Sequence, residues 1–207
     1  MQDVGRILDF LAFSERLKRE LRHSWLADGR RESVAEHSWQ MALMALLIHR
    51  HLAAPVAIDK VLKLVLVHDL VEAEVGDVPF FATGERKTGK AEREQQAIGK
   101  IRAMLDGPVG DELYDLWQEY EAKASPEARF AVALDHLEVQ VQHNLAPLAS
   151  WEPVEYELVY TKMDRACAID PFLAAFCAAV KAQAEAKMAA GGVDVAAVRR
   201  RATGSAA

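Results

Sequence analysis

Apolar residues recur along most of this chain at intervals of three and four, the repeat of a helix that buries one side. Ile7, Leu8, Leu11, Leu17 and Leu21 mark such a helix over residues 3–22, with charge on its other side. Asp28-Gly29, within HSWLADGRRE, breaks the pattern and predicts a loop. Ser33-Val34-Ala35-Glu36 then has the form of a capping box, in which the serine caps the first turn and the glutamate reaches back. The helix it opens runs through WQMALMALLIHRHL and stops before Pro55. A helix over 58–71 follows, ended by Gly76 and Pro79, and VPFFATGERKTGK reads as a loop. Further helices are expected over 89–105, 110–124 and 126–145. The last opens on Ser125-Pro126-Glu127, a cap followed by a proline whose missing N–H costs nothing in a first turn. WEPVEYELVYTKMDRACAI is helical after Pro153, and another helix begins at Pro171 and halts at Gly191-Gly192. No sustained alternation marks a strand, and no internal repeat or low-complexity linker interrupts the chain. The pattern predicts an all-α fold, a single-domain helical bundle over 1–190, with a short C-terminal helix and tail over 191–207.

Composition narrows the setting more than the fold. The 207 residues, 51% hydrophobic and 27% charged, suit one soluble domain with a sizeable core. A formal net charge of -6 argues against nucleic acid as the main partner. Cys167 and Cys177 match no zinc-knuckle or CxxC spacing, which fits a reduced compartment. The N-terminus lacks the basic segment and apolar run of a signal peptide, and no apolar run reaches the ~20 residues of a membrane span. A cytoplasmic protein is expected.

One stretch resists the plain reading. LVLVHDLVEAEVGD, residues 64–77, places His68, Asp69, Glu72, Glu74 and Asp77 where a core helix should be most apolar. His68 and Glu72 are four apart, and Asp69 and Glu72 three apart, so these side chains can converge. An ion-paired surface face would explain them, and so would a metal. His37, one residue past the capping box, is a possible further ligand or merely a packed histidine. Asp135 lies among small and apolar neighbours, Ala131, Val132 and Val139, with Glu138 one turn on. A dry unpaired carboxylate there would cost several kcal/mol, so an arginine or a metal should neutralise it. Two histidines and two aspartates form a nitrogen and oxygen set that suits Mn²⁺, Co²⁺, Fe²⁺, Ni²⁺ or Zn²⁺. Water held by such an ion loses its proton more easily. Glu72 is placed to take or relay a proton, and Asp77, after Gly76, to orient the water or serve the leaving group.

The order His37, then His68-Asp69, then Asp135 resembles the H…HD…D signature of the HD-domain superfamily. The longer segments RRESVAEHSWQMA, VHDLVEAEVGDVP, KAEREQQAI and LDHLE resemble more specifically its 5'-deoxynucleotidase branch, over about residues 8–165. The resemblance implies that His37, His68, Asp69 and Asp135 hold one divalent metal, and that Glu72 and Asp77 are the acid/base and water-positioning pair. It also implies an arginine for phosphate and a tryptophan that disfavours a ribose 2'-hydroxyl, matched by Arg22 and Trp25. The interval from Trp25 to His37 is shorter than the family pattern. The implied reaction is hydrolysis of nucleoside 5'-monophosphates, with deoxyribonucleotides preferred, by a homodimer. Two alternatives remain open: a related phosphohydrolase acting on another nucleotide or a phosphodiester, and a metal-stabilised regulatory protein without turnover.

Other groups have plainer expectations. Lys87, Lys90 and Arg93 could close over a substrate phosphate or simply begin an exposed helix. Arg30 and Arg31 could bind phosphate at a helix N-terminus. Trp39 reads as core, Glu74 as solvated, and His49, His51, His136 and His143 as surface or packing residues. FLAAFCAAV offers an apolar face for a second copy.

Overall fold

A computed structural model gives the architecture of residues 2–84 and 87–204. Parts of the expected loop after Pro79 (85–86) and of the expected tail (205–207) lie outside the described residues. The elements are α1 (Gln2–Ser14), a 3-10 turn (Glu15–Lys18), β1 (Leu21–Trp25), β2 (Arg31–Ser33), α2 (Val34–Ile48), α3 (Ile58–Val67), α4 (Glu72–Val75) and α5 (Lys90–Leu105). They continue with α6 (Gly107–Ala122), α7 (Pro126–Leu145), α8 (Pro153–Thr161), α9 (Asp164–Cys167), α10 (Pro171–Ala190) and α11 (Val195–Gly204).

α7 is the axis of the bundle. Ser125 caps it by accepting from the Ala128 N–H at 3.1 Å, with Pro126 in the first turn. Phe130, Ala131, Leu134 and Leu137 are buried on it, enclosed by α2, α3, α6 and α10. Met41, Ala45, Val61, Leu64, Val65 and Leu173 complete this main core. A smaller core under α8, α10 and α11 gathers Trp151, Val159, Ala184 and Met188, and Val198 of α11 is buried. Gly110 lets α6 cross α5, because a Cβ there would sit 2.4 Å from the Arg102 carbonyl oxygen.

The capping box forms as the sequence predicts: Ser33 Oγ accepts from Glu36 N at 3.3 Å, and Glu36 Oε2 accepts from Ser33 N at 2.8 Å. Three features depart from expectation. The helix expected over 3–22 ends at Ser14, and its last residues feed a two-stranded antiparallel ribbon. Asp28-Gly29 is the turn of that hairpin, with Gly29 at φ 85°; strands this short show no alternation to read. The ribbon pairs Leu21 with Ser33 and Trp25 with Arg31, so β1 carries extra residues between the two pairs and bulges.

The helix expected over 58–71 stops at Val67. His68 Nδ1 donates to the Val65 carbonyl at 2.7 Å, the acceptor an unbroken helix would offer to the Asp69 N–H. The following turns tighten to i→i+3 bonds, Leu70 N to Val67 O and Glu72 N to Asp69 O, each 3.0 Å. Finally, Trp39 is 65% exposed rather than core, whereas Leu173, Cys177 and Val180 of FLAAFCAAV are buried. Large exposed apolar side chains include Val4, Ile7, Leu8 and Leu11 on α1 and Trp39, Leu46, Leu47 and Leu66 on α2 with α3. Among the described residues, no helix is long and apolar enough to cross a membrane.

Candidate metal centre and cavity

Three helices and one turn bring the predicted residues together. The capping box fixes the first turn of α2 and with it His37, which has no exposed surface. The tightened end of α3 presents His68 and Asp69, and the middle of α7 presents Asp135. One ligand atom from each of His37, His68 and Asp135 lies within 4.8 Å of the others. His37 Nε2 is 3.4 Å from Asp135 Oδ1. Asp69 Oδ2 lies 3.1 Å from His68 Nε2 and 3.8 Å from His37 Nε2.

Both imidazoles are oriented from behind. His37 Nδ1 faces Glu138 Oε2 at 2.5 Å, and His68 Nδ1 donates to Val65 O. Their Nε2 atoms are buried and make no hydrogen bond. Leaving two such nitrogens unsatisfied would be costly, whereas an acceptor behind Nδ1 is the usual arrangement for an imidazole whose Nε2 binds a metal. The set has nitrogen and carboxylate donors and no thiolate, so the residues fit one divalent cation.

The electrostatics ask for a cation too. Burial and Arg22 push the His37 pKa down, but Glu138 and Asp135 outweigh them and raise it to about 10. Burial raises the Asp69 carboxyl, yet His68, His37 and Arg22 hold it down at about 2. Burial acts the same way on Asp135, and the adjacent His37, with the charges of His68 and His136, holds it well below the ordinary range. Asp135 also accepts from Tyr120 OH at 3.1 Å, so tyrosine and histidine stand where an arginine was the alternative.

Beside this cluster opens a cavity of about 230 Å³. Asp69 and Asp135 line its floor, with Arg22, Glu72, Asp77 and Lys90 around them. Arg22 Nη1 donates to Asp69 Oδ2 at 3.3 Å, and its Nε lies 3.4 Å from the buried Glu32. Burial, then the charges of Asp69 and Asp77, raises the Glu72 carboxyl well above its ordinary pKa. Asp77 is raised as well, by burial first. Gly76 directs the chain there at φ 76°, a conformation that favours glycine, while Glu20 Oε1 accepts the Asp77 N–H at 2.9 Å.

The structure thus gathers His37, His68, Asp69, Asp135, Glu72, Asp77 and Arg22. Trp25 is not among the cavity-lining residues; its carbonyl accepts from Gln142 Nε2 at 2.7 Å. Lys90 reaches the cavity, whereas Lys87 donates to Phe80 O and Arg93 to Thr88 O. Glu74 is not merely solvated: it pairs with Arg16 and Lys100. His136 lines the cavity and His143 is buried. The sequence reading missed Glu138 as the partner of His37, although its position one turn from Asp135 was a usable signal. Nothing in the sequence marked Glu32 or Tyr120.

A family model described as an HD domain matches residues 14–170. The protein from Danio rerio named 5'-deoxynucleotidase HDDC2 is 38% identical over 141 residues, covering 67% of this chain and 68% of the relative. Its Homo sapiens counterpart of the same name is 38% identical over 138 residues, covering 66% of each. The chain therefore spans about two thirds of the length of these relatives. Among solved structures, a predicted metal-dependent phosphohydrolase from Magnetospirillum magnetotacticum superposes with a TM-score of 0.76 at 31% identity, over 90% of this chain and 97% of that one. The PH0347 protein from Pyrococcus horikoshii, at 24% identity and a TM-score of 0.66 over 85% of this chain and 99% of that one, shares the fold. With the family match over most of its length, the shared helical architecture and the histidine–carboxylate cluster, this chain belongs to the HD-domain family of metal-dependent phosphohydrolases.

Proposed function

We propose that the protein hydrolyses nucleoside 5'-monophosphates, preferentially the deoxy forms, to nucleoside and phosphate, with His37, His68, Asp69 and Asp135 holding one divalent metal. The observation that carries this reading is the pair of buried Nε2 atoms without hydrogen bonds, each backed at Nδ1, close to Asp69 and Asp135, which line a cavity with its own arginine and raised carboxyls. The substrate class comes from the relatives' name and from the longer motifs shared with that branch.

When bound, the ion supplies positive charge beside the phosphoryl oxygens and makes water easier to deprotonate. The chain's own groups do the rest. Arg22, steadied by Asp69 and Glu32, and Lys90 bind and orient the phosphoryl oxygens, offsetting charge as it develops. Water attacks phosphorus, the bond to the 5'-oxygen breaks, that oxygen takes a proton from the Glu72 carboxyl, and the proton shed by the water restores it. Glu72 suits this proton transfer because its surroundings favour the protonated carboxyl. Asp77 orients the water. Trp25 acts on the sugar only by influencing the ribbon that carries Arg22, since it does not line the cavity. Two copies associate through the exposed apolar side chains of α2 and α3.

A panel of ribo- and deoxyribonucleoside 5'-monophosphates with Mn²⁺ or Co²⁺, assayed for released phosphate, tests the reading. The deoxy substrates should be the better ones, and Glu72→Ala should abolish turnover while retaining metal. Turnover by Glu72→Ala would refute its role, and release only from a phosphodiester would favour a different substrate.

A further inference from the structure

The mechanism leaves one buried charged cluster unused. His143 on α7 and Glu155 on α8 are 6% and 4% exposed, and His143 Nε2 lies 3.2 Å from Glu155 Oε1. His23 Nε2 approaches the same oxygen at 3.5 Å and makes no hydrogen bond. The other oxygen of Glu155 accepts the Glu152 N–H at 2.7 Å, which closes the capping box of α8 and fixes the carboxylate. Burial would raise this carboxyl, but the His143 hydrogen bond holds it below the ordinary range. A tie between α7 and α8 alone would need neither His23 nor an opening.

All three residues line the cavity described above, His143 two turns along α7 from Asp135. Phe81 lies edge-on to the His23 ring, with centroids 4.9 Å apart, and Gln140 adds an amide. The bulge in β1 is what makes this wall possible. In a regular strand, neighbouring side chains face opposite sides, yet Arg22, His23 and Ser24 all line the same cavity. Arg22 therefore reaches the phosphate end while the next residue begins the other wall. An aromatic surface with a few fixed polar groups is the chemistry that recognises a planar heterocycle.

We infer that His23, Phe81, Gln140, His143 and Glu155 form the subsite for the nucleobase of the leaving nucleoside, and so determine substrate specificity. This rests on the nucleotide reading above. Glu155 accepts from ring or exocyclic N–H groups, His23 and His143 hold its carboxylate in place, and Phe81 covers the ring face. A site built to hydrogen-bond its ligand discriminates strongly against one that lacks those groups.

The test uses the full chain loaded with Mn²⁺ and two kinds of substrate. Deoxyribonucleoside 5'-monophosphates are compared with 2-deoxyribose 5-phosphate, which presents phosphate and sugar without a base. The wild type should favour the nucleotides at least ~10-fold in kcat/KM. Glu155→Gln and His23→Ala should each lower that ratio about 10-fold, through KM rather than kcat. His23→Ala leaves the α8 cap intact, so it decides the matter if Glu155→Gln fails to fold. A wild-type ratio near unity, or variants that leave the ratio unaltered, would overturn the subsite. Absence of phosphate release from every nucleotide by the wild type would instead overturn the nucleotide reading beneath it.

Discussion

Replacing Glu138 with glutamine should separate metal binding from folding. Glu138 has no exposed surface, and its Oε2 sits 2.5 Å from His37 Nδ1. With glutamine, a charge-assisted hydrogen bond becomes a neutral one, a loss of about 1–2 kcal/mol in orienting and polarising the imidazole. That corresponds to roughly 5–30-fold in metal affinity, in line with the ~10–100-fold cost usual for changes behind a ligand. Stability of the metal-free protein responds differently. Glu32, His37 and Glu138 form one tight group, and Glu138 is the second cause, after burial, of the Glu32 pKa rising to about 7. Removing its charge relieves that repulsion while weakening the tie to His37. The two effects oppose each other, so the metal-free Tm should move by no more than ~4 °C, the shift that about 1 kcal/mol produces in a chain of this size. Calorimetric titration with Mn²⁺ and thermal melts in chelator measure the two quantities. Unchanged metal affinity would refute the orienting role. A collapse of the metal-free Tm would show that Glu138 serves folding first.

Other outcomes follow from the same structure. Glu36 has its pKa lowered to about 2, chiefly by its hydrogen bonds to Arg30 and Ser33. A depressed carboxyl contributes stability above its unfolded pKa and loses it as pH falls towards the folded one. Urea unfolding should therefore show Glu36→Gln weaker than wild type at pH 7, with the gap closing between about pH 4.5 and 2; a gap that widens in acid would contradict this. Exposure of the pair keeps the effect small. Gly110→Ala should cost about 1–3 kcal/mol, since its Cβ meets backbone of α5 rather than a movable side chain; unaltered denaturant midpoints would show that the helices can part freely.

Helices whose ends carry chemical signals were legible in the sequence. Ser33–Glu36 and Ser125-Pro126 fixed the starts of α2 and α7, and thereby the heights of His37 and Asp135. The break after Val67 was not legible, because it depends on a side chain, His68, reaching back to a carbonyl of its own helix. The ribbon was hidden because its strands are too short for alternation, and its bulge, which turns Arg22 and His23 into one cavity, follows from pairing. Trp25 illustrates the limit: its identity matched a motif, while its direction was set by the ribbon. The proposed metal ligands could be named because their residue types and order are distinctive. Glu138, Glu32 and Tyr120 escaped because acids and tyrosines gain such roles only from the neighbours that folding supplies. The His23–His143–Glu155 cluster escaped for the same reason, joining a strand and two helices far apart in sequence.

His37, His68, Asp69 and Asp135 are proposed to share one divalent ion. Equilibrium dialysis against Mn²⁺, followed by elemental analysis, tests it most directly in the wild type and in Asp69→Ala. The wild type should hold about one ion per chain, as expected for a single set of converging ligands, and Asp69→Ala almost none. Stoichiometric metal retained by Asp69→Ala would contradict it.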